Sequence, residues 1–100
     1  MAVAYVQEFP ITDHETKNYD EINRRLDLTE LPPGLVVHTA GFDDEAGVFR
    51  IFDVWENEDA ARKFHQERVD PLVGEVMAAD PAAEPPTRNG FYPLHNVIGD

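Results

Sequence analysis

A chain of 100 residues with 42% hydrophobic and 10% aromatic content has enough apolar material for one packed domain over residues 1–100 and too much for a disordered segment. A formal net charge of −12 repels phosphate backbones and anionic lipid, so neither nucleic acid nor a membrane surface is expected as a partner. Cysteine and serine are both absent, which excludes disulfides and the thiol and serine nucleophiles.

Val3 to Phe9 alternates as a strand does, and Pro10 ends it. Met1 to Val6 lacks the basic flank and long apolar stretch of a signal peptide, no run approaches the roughly eighteen apolar residues of a membrane span, and a cytoplasmic location is expected. Thr12-Asp13-His14-Glu15 has the form of a capping box, and Tyr19, Ile22 and Leu26 follow at helical spacing, which predicts a helix over Asp13 to Asp27. Leu31-Pro32-Pro33-Gly34 is a turn. Leu35 to Phe42 and Val48 to Trp55 read as two strands around the acidic loop Asp43 to Gly47, an antiparallel hairpin.

Asn57 is placed to cap a second helix, with Glu58 and Asp59 in its first turn and Ala61, Phe64 and Arg68 as its inner stripe. Pro71 predicts a break or a kink, and Asp70-Pro71 a restart, giving a further helical piece from Pro71 to about Ala79 that buries Leu72 and Val76. Asp80 to Pro86 is an irregular connector, and Asn89 to Ile98 is the last strand. The order strand–helix–strand–strand–helix–strand is the ferredoxin-like βαββαβ pattern of an α+β domain with a four-stranded antiparallel sheet.

The strands are apolar on both faces, whereas two helices cover one. Leu35, Val37 and Thr39 oppose Val36, His38 and Ala40; Val48, Phe52 and Val54 oppose Phe49, Ile51 and Trp55. An uncovered face of this kind amounts to on the order of 1,000 Å² of mostly apolar surface, more than a monomer usually exposes. A second copy of the chain is the simplest cover, which predicts a homodimer joined through the open sheet face as a dimeric α+β barrel.

His38 stands mid-strand among apolar neighbours, where an imidazole can serve as a base near neutral pH or as a core group donating to a nearby carboxylate. Asp53 and Arg50 lie on opposite faces of one strand, and each needs a partner if buried. Trp55 offers a flat wall and one N–H donor, or simply fills the core. Tyr5 and Gln7 share a face of the first strand. His65, next to Phe64, and His14, in the first helical turn, both read as surface residues. The four histidines have no ligand spacing, so no metal site is expected, and with no glycine-rich phosphate loop no nucleotide cofactor is signalled.

Asp53-Val54-Trp55-Glu56-Asn57-Glu58-Asp59-Ala60 resembles the motif that closes the third strand and opens the second helix in the antibiotic biosynthesis monooxygenase (ABM) superfamily of dimeric α+β barrel proteins. Val37-His38-Thr39-Ala40-Gly41 and Tyr92-Pro93-Leu94-His95-Asn96-Val97 resemble small actinobacterial members. The resemblance implies a cofactor-independent monooxygenase for a small aromatic or polyketide-like substrate, with His38 as the catalytic base and Tyr5, Asp53, Trp55 and Phe64 around the substrate. The alternative is a non-catalytic dimeric barrel that binds a small hydrophobic ligand or serves in a stress response. The superfamily's haem-degrading branch uses a tryptophan and a histidine on the second helix and an asparagine on the first strand. Alignment on Trp55-Glu56 puts Phe64 and Gly74 at the helix positions, and Val3 to Phe9 has no asparagine, so that branch is excluded.

Overall fold

The computed structural model describes residues 1–99. Four strands, β1 (Val3–Pro10), β2 (Leu35–Asp43), β3 (Val48–Trp55) and β4 (Arg88–Pro93), form one antiparallel sheet in the order β2-β3-β1-β4. Helix α1 (Lys17–Leu26) follows β1, and α2 (Glu58–Phe64), a π-helical turn (His65–Val69) and α3 (Asp70–Ala78) follow β3. This is the expected ferredoxin-like α+β domain. No helix among the described residues is long and apolar enough to cross a membrane.

Helix α1 starts four residues later than the sequence pattern suggests. Asp13 Oδ1 accepts from the Glu15 backbone N–H (2.9 Å), a local turn that competes with a capping box at Thr12. Thr16 takes the cap position, and its hydroxyl donates to Asp20 Oδ2 (2.7 Å) rather than accepting from the backbone. The helix closes at Asp27 in the left-handed conformation (φ 48°), with Arg24 and Arg25 in its last turn, where the dipole favours cations.

The hairpin ladder runs from Asp43↔Val48 to His38↔Asp53 without a break, and a bulge then lies between Leu35 and Val37. The bulge changes the expected facing of Leu35. It opposes Trp55 and packs with His38's side of the sheet, against the cluster of Val3, Tyr5, Trp55 and Ala61. Gly34, at the mouth of this strand, has φ +88°, and a Cβ there would lie 2.7 Å from Ala60 Cβ. Only glycine lets the turn pass this close to α2.

Asn57 caps α2 as expected, accepting from the Ala60 N–H (2.8 Å). At Pro71 the chain restarts as expected, with α3 beginning at Asp70, but it does so without leaving the helix. The helix continues because the preceding turn widens, and the Asp70 N–H bonds to the His65 carbonyl five residues back. The wider turn takes up the room that the proline ring needs and costs no further donor, since Pro71 has no N–H. Strand β4 is shorter than expected and stops at Pro93. Pro93 sits opposite Val3, where β1 begins, so there is no strand left to pair with; one last bond joins the Leu94 N–H to the Ala2 carbonyl (3.0 Å).

The helices lie over the face that carries Tyr5, Asp53, Trp55 and Phe91. On the other face Ala4 and Val6 are flanked in register by Val54, Tyr92 and Phe52, and Ala4, Val6 and Val54 are already buried. The uncovered apolar surface is therefore smaller than the sequence suggests and lies at the margins, on Val37 (43% exposed) and Tyr92 (39%) and on Ile98 beyond the sheet. Arg50 on this face is paired, to Glu8 (2.7 Å) and Asp43 (2.8 Å).

Candidate functional site

Two antiparallel ladders meet at one buried carboxylate. Asp53 on β3 stands opposite His38 on β2 and opposite Tyr5 on β1, and it is 4% exposed. A buried carboxylate without a partner would be costly, and His38 supplies one: its Nδ1 lies 2.6 Å from Asp53 Oδ1. On the far side of the imidazole, Nε2 meets the Tyr19 hydroxyl at 2.6 Å. A row of three groups therefore runs from the buried sheet centre to α1. The bond to Asp53 raises the His38 pKa above its ordinary value, against the lowering effect of burial.

On the β1 flank of Asp53 the arrangement is different. The Tyr5 hydroxyl donates to Asn89 Oδ1 on β4 (2.6 Å), and burial together with the charges of Asp70 and Asp53 pushes the Tyr5 pKa up to about 12. Phe91 stacks on the Tyr5 ring with centroids 4.5 Å apart and carries the Arg62 guanidinium 4.9 Å from its own centroid. The His65 ring meets Tyr5 edge-on at 4.7 Å. These groups line a cleft of about 390 Å³ between sheet and helix, to which Glu58, Gln66 and Asp70 also contribute. Burial lowers the His65 pKa below its ordinary value, more than the nearby carboxylates raise it, so the imidazole is favoured in its neutral form.

The expected site residues fall into three groups. His38 and Asp53 are bonded to each other. Tyr5 lines the cleft. Trp55 and Phe64 pack together at 5.8 Å, with Trp55 1% exposed in the core, and neither lines the cleft. The Trp55 indole N–H is buried and meets no acceptor among the described residues.

His65 is not the surface residue that its place beside Phe64 suggested. It lies four residues after Ala61, which is fully buried, and so shares Ala61's face of the helix. That spacing was the available signal. Asn89 and Tyr19 were also missed. Tyr19 carries the helical spacing of a core residue, and nothing in the sequence brings it to His38.

The fold is that of the ABM-like α+β proteins. SnoaB, a cofactor-independent oxygenase from Streptomyces nogalater, superposes in a variant form with a TM-score of 0.66 at 20% identity, over 99% of this chain and 98% of that one. A candidate antibiotic biosynthesis monooxygenase from Caulobacter crescentus gives 0.66 at 16% identity (97% and 91% covered), and one from Deinococcus radiodurans gives 0.64 at 14% (100% and 98%). No family model and no curated protein matches the sequence.

Proposed function

We propose that this protein is a cofactor-independent monooxygenase for a small hydroxylated aromatic, polyketide-like ring, which binds in the cleft beside His65. The observation that carries the reading is an imidazole favoured in its neutral form at the wall of a cleft, with a tyrosine–asparagine pair and an aromatic ring beside it. A base must be unprotonated to act, and a group buried enough to stay neutral near pH 7 meets that condition. The fold shared with a cofactor-independent oxygenase supports the reaction class.

The chemistry is simple to balance. His65 takes a proton from an activated ring carbon, and the electron-rich anion gives one electron to dioxygen. Superoxide and the ring radical combine as a peroxide anion, which takes the proton back from His65 and becomes the hydroperoxide. Loss of water then leaves a carbonyl where a methylene stood, with one oxygen atom in the product and the other in the water. Asn89, whose carbonyl oxygen is occupied by Tyr5, keeps its amide N–H groups for the oxygen on which negative charge develops.

His38 suits the base role less well. Both of its nitrogens are engaged, and its pKa is raised, which favours the protonated form. The protein is further proposed to act as a homodimer, with a second copy over the apolar margins of the open face, Val37 and Tyr92 included. Light scattering at micromolar concentration tests this, and a monomer mass would refute it.

Oxygen uptake by the purified protein against a panel of anthrones and hydroquinones tests the reaction. Uptake should exceed the uncatalysed rate and fall about a hundredfold or more in His65→Gln, the scale of a positioned base. Uptake lost in His38→Gln but kept in His65→Gln would move the base to the other flank. Tight binding of the same rings without uptake would favour the non-catalytic ligand-binding barrel.

A further inference from the structure

The row Tyr19–His38–Asp53 lies outside the cleft and plays no part in the reaction above. With His38 neutral and its proton on Nδ1 toward Asp53, the geometry is that of a phenol with a proton acceptor in place. Tyr19 Oη and His38 Nε2 are 2.6 Å apart, the length of a short hydrogen bond along which the phenolic proton can pass. The other ring nitrogen is 2.6 Å from Asp53, which is 4% exposed, so an imidazolium formed at His38 would be held by a carboxylate that is poorly screened by water.

We propose that Tyr19 is a redox-active tyrosine. It gives one electron to an oxidant of the organic-radical class, a peroxyl or semiquinone species, while its phenolic proton passes to His38. The O–H bond of Tyr19 breaks and an Nε2–H bond forms. The oxidant gains the electron and becomes the corresponding anion. Tyr19 is left as a neutral phenoxyl radical, and the reverse transfer restores it. An oxidised phenol is a strong acid and must lose its proton, so a tyrosine with a base in contact is oxidised more readily than one without.

The other oxidisable side chains lack such a base. The Tyr5 hydroxyl donates to an amide oxygen, which does not take up a proton near neutral pH. The Trp55 N–H is buried without an acceptor among the described residues. Tyr92, 39% exposed on the open face, has no side-chain base in hydrogen-bond contact among the described residues. The contrast singles out Tyr19. A merely structural row, tying α1 to the sheet, would have the same distances but no redox consequence, and the two roles separate by experiment.

The whole protein is mixed with hexachloroiridate(IV), an outer-sphere one-electron oxidant, and followed by freeze-quench EPR and stopped-flow absorbance. A phenoxyl radical is expected that survives Tyr92→Phe and disappears in Tyr19→Phe. Its formation should slow about a hundredfold in His38→Gln, which keeps a hydrogen-bond acceptor but cannot hold a proton. It should also slow in deuterated water in the unaltered protein, a measurement that does not depend on any variant folding. A radical at full yield in Tyr19→Phe, one that vanishes in Tyr92→Phe, a wild-type rate in His38→Gln, or no solvent isotope effect would each overturn the proposal. A lower melting temperature in Tyr19→Phe with the His38→Gln rate unchanged would mark the row as structural.

Discussion

The two flanks of Asp53 shift the same side chain in opposite directions. On the β2 flank His38 is bonded to the carboxylate, and its side chain is 36% exposed. On the helix side the His65 ring lies over Tyr5 and near Trp55 and Phe64, and its nitrogens make no side-chain hydrogen bond among the described residues. A direct partner raises one pKa and burial lowers the other. Groups of one type pushed apart in this way divide acid and base roles. Distance to a partner, more than shared surroundings, decides the direction in which each histidine shifts.

The largest expected effect comes from removing the carboxylate between them. Asp53→Ala should cost about 1–3 kcal/mol in urea denaturation, the range for leaving a buried hydrogen-bond partner unpaired. The upper end is not expected, because His38 is partly exposed and can shed its proton or turn to water. In NMR titrations both histidine pKa values should fall, His38 by more, since its bond to Asp53 is the main cause of its shift whereas Asp53 only opposes the main cause at His65. Equal falls would show that Asp53 is shared between the two rather than paired with one.

The pH dependence of stability gives the next largest effect, and the signs differ. His38 has a raised folded pKa, so its contribution is fully present below the ordinary value of 6.5 and is lost as pH rises through the raised value. His65 has a lowered folded pKa, so its contribution is present above 6.5 and is lost as pH falls through the lowered value. The first loss lies above 6.5 and the second below it, so together the two histidines give a stability maximum near that value. Urea midpoints should lose their alkaline-side decline in His38→Gln and their acid-side decline in His65→Gln, each variant keeping the other limb. Parallel curves for all three proteins would contradict the assignment.

The His38–Asp53 pair is not legible in the sequence: the expected loop Asp43 to Gly47 would close the hairpin at Phe42 and Val48 and set His38 opposite Phe52, whereas Asp43 joins the ladder opposite Val48 and shifts His38 to Asp53. The alternation of the strands and the helical stripes sufficed for the fold, because one face of each element must be buried. The bulge at Leu35 and the end of β4 at Pro93 depend on where a neighbouring strand starts, which local pattern does not encode. Tyr19 meets His38 only through the docking of α1, a tertiary event. His65 lay between: its spacing from Ala61 was visible, but an adjacent apolar residue, Phe64, had already been given the inner stripe.

The smallest expected effect concerns how His65 is held. The π-helical turn begins at His65 and ends just before Asp70-Pro71, and the proline supplies its cause: an ordinary α-helical turn would drive the ring into the carbonyl four residues back. Pro71→Ala removes that conflict and restores an N–H, so the turn is free to tighten. Stability should change by less than about 1 kcal/mol, since a new hydrogen bond is offset by greater freedom of the unfolded chain. The His65 ring should respond more than the stability does. If the wide turn sets its seat over Tyr5, its pKa will move up toward 6.5 while that of His38, on a different element, stays where it is. An unmoved His65 would mean that the spacing from Ala61 is enough to hold the ring in the cleft, and that the π-helical turn only accommodates the proline.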